Sequence, residues 1–381
     1  MKQSKVIVLG GGLVGGPMAM DLAHGNEFDV TVADINPDIK NKFKRFQNIK
    51  TIQSDLSDQQ TLKELVSNFD LVLSAVPGFM GFRTLKAIIE AGKNVIDIAF
   101  FPEDLFELDD LAKKHNVIAI SDIGVAPGMS NLLTGYADSM LDKTEKVVIY
   151  VGGLPKVRQW PWEYKAVFSP VDVIEEYTRP ARYIENGQEI VKPALTDPEL
   201  LDFEGIGTLE AFNSDGLRSL AKTIKAGNMI EKTLRYPGHI SFIKVLQSTG
   251  FFDTNTIEVN GQQVIPMDVT TALLFPNWKL GEGEEDITVM KVEVSGIKQG
   301  GKYIFTWNLF DVYDKTSAVH SMARTTGYTA TMALRMINKG YYSTTGVSAP
   351  EFIGRDHACV NFILEGLKER GIVYKENHRK L

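Results

Sequence analysis

The sequence predicts an α/β protein: a doubly wound parallel sheet with an inserted α+β domain built on a mainly antiparallel sheet. Three observations carry that prediction. Over the first third, short Val- and Ile-rich runs alternate with helically spaced segments. A cluster of glycines ends the first of those runs, in "SKVIVLGGGLVGGPMAMDL". Beyond residue 123 the pattern changes to hairpin signals, with Asn-Gly set between β-prone stretches.

In chain order, "KVIVLG", "DVTVAD", "IKTIQ", "DLVLSAV", "NVIDIA" and "VIAISD" read as strands buried on both faces. Between them, "MGFRTLKAIIEAG" keeps Leu85, Ile88 and Ile89 on one helix face and ends at the C-cap Gly92. "PEDLFELDDLAKKH" supplies another helix. This alternation assigns residues 1–122 to the parallel domain. Across residues 123–320, "ARYIENGQEIVK" and "IEVNGQQVI" read as hairpins. "DITVMKVEVSGIKQGGKYIFTWNLFDVYD" reads as two long strands about a Gly-rich turn. Ser169-Pro170-Val171-Asp172 announces a helix, with an N-cap serine, a proline in the first turn and an acid behind it. Residues 321–381 return to helical spacing in "RTTGYTATMALRMINKG" and "HACVNFILEGLKERG", helices expected to fold back onto the first domain. The closing "KENHRKL" reads as a solvated tail.

Composition narrows the function. A length of 381 residues suits two domains. A net charge of -7 without a long basic run argues against nucleic acid as a partner. One cysteine, Cys359, excludes an intramolecular disulfide and a thiolate metal cage, and the 6 histidines show no ligand spacing. No signal peptide is evident, and no apolar run approaches the ~18 residues of a membrane helix. The expected setting is cytoplasmic, with a small-molecule substrate and no metal or membrane partner.

Gly10, Gly12 and Gly15 spell G-x-G-x-x-G at the exit of the first strand, and a helix follows. Gly10 permits the tight turn, Gly12 lets a pyrophosphate approach the backbone, and Gly15 allows close packing of helix on strand. Leu13 and Val14 lie between, where the first N–H groups of the helix face the phosphates. The context is that of a Rossmann-type dinucleotide site. Asp34 closes the second strand, where a carboxylate accepts hydrogen bonds from an adenosine ribose and repels a 2′-phosphate. No arginine follows it immediately, so NAD is favoured over NADP. Asp55 either sits by the adenine or caps the next helix. Val76 and Pro77, ending the fourth strand, should pass beneath the cofactor. The ends of strands four to six should line the reaction chamber, which brings Asp97 and Asp122 near it as contacts or as loop caps.

The runs "SDIGVAPGMSN", "VGGLP", "SDGLRS", "TLRYPGH" and "SMARTTGYT" resemble the saccharopine dehydrogenase family over nearly the whole chain. The likeness is most specific to its L-lysine 6-dehydrogenase branch, whose members oxidise the side-chain amine of L-lysine with NAD. It implies an inserted substrate and oligomerisation domain, and a homodimer or higher homo-oligomer. It also implies that Thr233-Leu234-Arg235 contacts a substrate carboxylate. Arg235 is the first choice for that grip and Arg218 the second, being permanently charged bidentate donors; an ion pair within the protein is the other reading of each. Where saccharopine reductases carry Gly-Leu-Asp-Pro-Gly and a Ser-Tyr pair, this chain has Gly124-Val125-Ala126-Pro127-Gly128 and Ala99-Phe100. That difference implies a substrate smaller than saccharopine.

His239 stands where those reductases place an aromatic, and is either the general base or a loop-holding histidine. Asp122, Asp215 or Glu163 could instead hold the amine. Tyr164 lines the pocket or packs beside Trp160 and Trp162. The reaction implied is NAD-dependent oxidative deamination of the ε-amine of L-lysine to allysine, which cyclises to piperideine-6-carboxylate, with release of ammonia. The alternatives are a saccharopine or carboxynorspermidine type dehydrogenase and a non-catalytic NAD-binding protein.

Overall fold

The computed structural model describes residues 3–281 and 283–381. Six strands open the chain: β1 (Ser4–Leu9), β2 (Phe28–Asp34), β3 (Ile49–Gln53), β4 (Leu71–Ser74), β5 (Asn94–Asp97) and β6 (Ile118–Ile120). They pair in parallel in the order β3-β2-β1-β4-β5-β6. Because both faces are covered, alternate residues enter two separate cores. Val6, Val8, Val30, Val32 and Leu73 enter one, while Ile7, Leu9, Ala33, Val72 and Val95 enter the other. Each such Val, Leu or Ile side chain contributes roughly 1.5–3 kcal/mol on leaving water. The strand order reverses between β1 and β4. The helices Gly15–Ala23 and Gly78–Glu90 start there, which opens a crevice at the carboxyl ends of the strands.

The second sheet runs in the order Glu199–Phe203, Gly207–Asn213, Asn228–Arg235, Lys143–Pro155, Asp286–Lys298, Gly301–Val312 and Tyr374–Lys380. Along this path the pairing is antiparallel except between Asn228–Arg235 and Lys143–Pro155. The Asn-Gly turns are the tight ones their sequences predict: Asn186 and Gly187 have φ of 51° and 77°, and Asn260 and Gly261 have 52° and 78°. The helix Pro170–Thr178 starts after Ser169, although the serine side chain makes no capping hydrogen bond.

The C-terminal segment serves both domains. The helix Ser321–Asn338 is buried along nearly its whole length. Its Arg335 donates to Asp21 Oδ2 at 2.6 Å and Glu27 Oε2 at 2.9 Å, while Arg370 reaches Asp21 Oδ1 at 2.6 Å. Gly346–Ser348 then adds a seventh parallel strand beside β6. The tail "KENHRKL" corrects the sequence reading. It belongs to the edge strand Tyr374–Lys380, paired with Gly301–Val312, and its charged side chains face solvent as edge strands favour. Among the described residues no helix is long and apolar enough to cross a membrane.

Candidate active site

A cleft of about 730 Å³ lies between the carboxyl ends of the parallel strands and the second sheet. At one end stands the turn after β1. Gly10 has φ +94°, and a Cβ there would lie 2.7 Å from the Ala75 carbonyl oxygen; a Cβ on Gly15 would lie 2.0 Å from the Gly10 carbonyl oxygen. Both glycines are demanded by the protein's own packing. Gly12 is different: an added Cβ meets nothing within 4 Å, and the residue lines the cleft. Its small size leaves space for a ligand. The helix Gly15–Ala23 begins here with no side-chain cap from Val14, which leaves its first N–H groups to an anion.

Leu13, Val14, Asp34, Asp55, Val76 and Pro77 line the same end. Asp34 Oδ2 accepts from the Gly11 N–H at 2.6 Å and Oδ1 from the Asn36 N–H at 2.8 Å. Lys42 Nζ donates to the carbonyls of Gly11 (2.5 Å) and Gly12 (3.0 Å), and burial lowers its pKa despite the attraction of Asp34. Asp55 accepts from the Ser57 hydroxyl and N–H, which lowers its pKa. The following helix is capped by Asp58 instead. Clearance at Gly12, free helical N–H groups and a carboxylate ending β2 fit a dinucleotide.

The other wall is assembled from distant segments. Pro170–Thr178 supplies Asp172, Glu175 and Glu176, and Arg179 follows; the turn after Gly207–Asn213 supplies Ser214, Asp215 and Gly216. Asn228–Arg235 supplies Glu231 and Thr233, while Phe100, Val125, Ala126 and Met322 give the cleft apolar surface.

Alternation along Asn228–Arg235 places Glu231, Thr233 and Arg235 on one face and Leu234 on the other. Leu234 accordingly packs with Leu154, Leu209 and Ala211, away from the cleft. Arg235 is 1% exposed and does not line the cleft either. Its Nε donates to Tyr177 Oη at 3.1 Å, Nη1 to the Leu234 carbonyl at 2.9 Å and Nη2 to Glu176 Oε2 at 2.6 Å. The guanidinium thus holds Glu176 at the wall, stacked 4.5 Å from the ring of Tyr164. Tyr164 lies behind that wall, in an apolar cluster with Tyr177 and Trp278.

His239 packs against the rings of Tyr164, Tyr177 and Trp278, 1% exposed and outside the cleft lining. Its Nδ1 lies 2.8 Å from the Trp162 carbonyl and its Nε2 2.9 Å from Tyr177 Oη. A carbonyl only accepts, so Nδ1 carries the proton and Nε2 accepts from the tyrosine. Burial, then repulsion from Arg235, pushes its pKa down to about 3. Both ring nitrogens are therefore engaged, and the loop-holding reading is the one these contacts describe.

Asp122 and Arg218 pair with each other, Nε to Oδ2 at 3.0 Å and Nη2 to Oδ1 at 3.3 Å. This buried ion pair joins the end of the parallel domain to the second domain, and neither residue lines the cleft. Asp97 is also buried, accepts from Ser121 Oγ at 3.1 Å, and is pushed up to about 7 by burial. Glu163 is tied to Arg158. Asp215 and Thr233 do line the cleft; Asp215 is held by Arg182 through contacts of 2.8 and 2.7 Å.

Two residues with no part in the sequence reading stand out. Glu231 is 4% exposed yet lines the cleft. Its Oε2 accepts from Ser214 Oγ at 2.7 Å, and Ser214 Oγ in turn lies 2.7 Å from Thr233 Oγ1. Burial above all, with Glu176 and Asp215 nearby, pushes its pKa up to about 8. Arg179 donates from Nη2 to Glu175 at 3.1 Å and stacks 4.7 Å from the Phe100 ring, while its Nη1 is buried without a hydrogen-bond partner. The period-2 pattern of "EKTLR" could have flagged Glu231 beside Arg235; for Arg179 the sequence carries no such signal.

A pyrophosphate turn on a doubly wound sheet, facing an acidic cleft in a second domain, defines a two-domain dinucleotide-binding protein. Residues 6–120 match the model of the saccharopine dehydrogenase NADP binding domain, and residues 124–372 that of the saccharopine dehydrogenase C-terminal domain. The chain belongs to the saccharopine dehydrogenase family, as its motifs imply. It is 25% identical over 456 residues to saccharopine dehydrogenase [NADP(+), L-glutamate-forming] of Schizosaccharomyces pombe, covering 97% of this chain and 98% of that protein. It is 24% identical over 397 residues to carboxyaminopropylagmatine dehydrogenase of Synechocystis sp., covering 98% and 97%. To the mitochondrial alpha-aminoadipic semialdehyde synthase of Rattus norvegicus it is 24% identical over 451 residues. That match covers 98% of this chain, which spans about half (47%) of the rat protein's length. The structure of apo saccharopine dehydrogenase (L-Glu forming) from Saccharomyces cerevisiae superposes with a TM-score of 0.81 at 21% identity, covering 99% and 100% of the two chains. It shares the fold.

Proposed function

We propose that the protein is a nicotinamide-dependent dehydrogenase that oxidises the ε-amine of L-lysine, giving the aldehyde and ammonia. The observation that carries this reading is the excess of acidic over basic side chains in the cleft wall. Glu175, Glu176 and Asp215 are each neutralised by an arginine, Arg179, Arg235 and Arg182 respectively. Asp172 and Glu231 line the same wall without a salt-bridge partner among the described residues, and Arg179 is the sole Lys or Arg among the described lining residues. Such a wall suits a ligand with more ammonium than carboxylate groups. L-Lysine has two of the former and one of the latter, whereas saccharopine carries three carboxylates. In this reading the free Nη1 of Arg179 takes the α-carboxylate, and the unpaired acids hold the ammonium groups.

The nicotinamide, when bound, supplies the hydride acceptor. Gly12 and the helix Gly15–Ala23 would hold its pyrophosphate. Asp34 favours NAD, because its carboxylate meets the ribose and would repel a 2′-phosphate. The fission-yeast relative is named for NADP(+), so the preference is a property proposed for this chain's own residues. A second reading, a carboxylated polyamine as substrate, draws on the same unpaired acids and on the end-to-end likeness to the Synechocystis protein. We also propose a homo-oligomer, supported by Phe310 and Val312 on the outward face of a long strand of the second sheet.

The test is a substrate panel with NAD+ and NADP+, following reduced nicotinamide and ammonia together. L-Lysine should give both in equal amounts. Cleavage of a secondary amine gives reduced nicotinamide without ammonia, which separates the second reading. Turnover of saccharopine with none of any cationic amine would overturn both.

A further inference from the structure

We infer that Glu231 is the catalytic base that takes the proton from the substrate amine, in a carboxyl site built by Ser214, Gly216 and Thr233. The inference rests on reading the cleft as an amine-oxidising site. Hydride can leave the carbon beside an amine only when the nitrogen lone pair is free to form the iminium. An alkylammonium, with a pKa of about 10.4, keeps that pair in an N–H bond at neutral pH. Some group in the cleft must accept this proton.

Elimination among the acids and bases leaves two candidates. The His239 ring has both nitrogens engaged behind the wall, and Asp122 is locked to Arg218. Glu175, Glu176 and Asp215 each answer a guanidinium, so their carboxylate oxygens are already engaged in ion pairs within the wall. Asp172 lies in the first turn of its helix and is hydrogen-bonded by Ser169 and the Gly78 N–H. Burial raises its pKa too, but Arg179 lies close enough to favour its carboxylate, whereas no cation among the described residues acts on Glu231. Glu231 remains.

The surroundings of Glu231 are shaped for two protonation states. A Cβ on Gly216 would lie 2.2 Å from its carboxyl group, so any other residue there would displace it. Ser214 Oγ and Thr233 Oγ1 lie 2.7 Å apart and either can be the donor. The hydroxyl pair can reverse direction, which keeps Glu231 hydrogen-bonded whether it is a carboxylate or an acid. The charged groups facing it are Glu176 from the helix Pro170–Thr178 and Asp215 from the adjoining turn, each with its own arginine, Arg235 and Arg182. A carboxyl pushed up to about 8 by burial matches the requirement for a base that works near neutrality. In the step proposed, an ammonium N–H bond breaks and an O–H bond forms on the Glu231 carboxylate. The electron pair stays on nitrogen, and no oxidation occurs until hydride departs. The proton then leaves Glu231 for solvent.

The experiment compares pH profiles of kcat/KM for wild type, Glu231→Gln and Glu231→Asp with the amine that wild type oxidises. It is paired with infrared titration of the ligand-free proteins. Only the carboxylate form accepts a proton, so the wild-type rate should rise with pH through a limb near 8. Glu231→Gln should lower kcat/KM by ~10²–10⁴-fold near that pH. Its remaining activity should rise only toward pH ~10, where the substrate amine loses its own proton. Glu231→Asp should retain the limb at a reduced rate, and dinucleotide affinity should be unchanged in both variants. In the ligand-free wild type a protonated-carboxyl band should titrate near pH 8 and be absent in Glu231→Gln. A Glu231→Gln enzyme that keeps the wild-type limb overturns the role of Glu231 while leaving the amine reading intact. A wild-type protein that oxidises no amine overturns that reading and the role of Glu231 with it.

Discussion

The dinucleotide end of the cleft is made by one contiguous turn and the ends of neighbouring strands, from Gly10 to Gly15 and from Ala75 to Pro77. The acidic end is made by Asp172, Arg179, Asp215 and Glu231, which the fold gathers from separate elements. The first end works mainly through backbone N–H groups and the lack of side chains. The second works through side chains, and what each can do depends on which partner neutralises it. Arg235 and Arg179 show this most clearly: one is spent on Glu176 and Tyr177, and the other keeps a free nitrogen.

The largest expected effect concerns the pair that ties the two ends together. Arg218→Ala strands the buried Asp122 carboxylate and should lower unfolding stability by about 3–5 kcal/mol, read by denaturant titration. A variant of unchanged stability with a raised amine KM would return Arg218 to the substrate site. At the dinucleotide end, Gly12→Val should weaken dinucleotide binding on the order of 100-fold, about 2.7 kcal/mol, by calorimetry. Ligand-free melting should not change, because the new side chain starts in open space. Gly15→Val should instead unsettle the fold itself, given the 2.0 Å approach to Gly10. Equal behaviour of the two glycine variants would erase the distinction between a ligand-clearing and a packing glycine.

At the acidic end, Arg179→Ala should raise the KM for L-lysine by about 10–100-fold, the worth of a charge-assisted hydrogen bond, and leave the KM for NAD+ alone. Arg235→Ala should act first on stability, since it leaves Glu176 without its cation. Were Arg235 to raise the amine KM while stability held, the roles of the two arginines would be exchanged. The smallest effect is that of Asp34→Ser, which should shift the preference for NAD+ over NADP+ by about 10-fold toward NADP+. A variant with an unaltered ratio would move the discrimination elsewhere, with Lys42 beside the turn as the next residue to examine.

The same contrast explains what could be read from the sequence. A short continuous run of Val and Ile defines a doubly covered strand wherever it sits, so β1, β2, β4, β5 and β6 and the glycine turn were legible from local sequence. Strand β3 forms as expected but, as an edge strand, is mostly exposed rather than buried on both faces. The Asn-Gly hairpins were equally local. The tail Tyr374–Lys380 was not, because an edge strand takes its hydrogen bonds from a neighbour and needs no apolar pattern of its own. In "MIEKTLR" the strand face holding Glu231, Thr233 and Arg235 was visible in principle. Helix Pro170–Thr178 comes against the Arg235 end of that face and covers it with Glu176 and Tyr177. Thus the arginine became structural, and the glutamate two turns of the pleat earlier reached the cleft. His239 met the same fate among Tyr164, Tyr177 and Trp278. Tertiary pairing, which no local pattern encodes, decided each case.

What the acidic wall receives decides the substrate. The direct measurement is initial-rate formation of reduced nicotinamide by the purified protein with NAD+ and either L-lysine or saccharopine, with ammonia assayed in the same samples. L-Lysine should be turned over with ammonia in step with reduced nicotinamide, at rates that climb as pH passes 8. Saccharopine oxidation with L-lysine and polyamine substrates inert would contradict it.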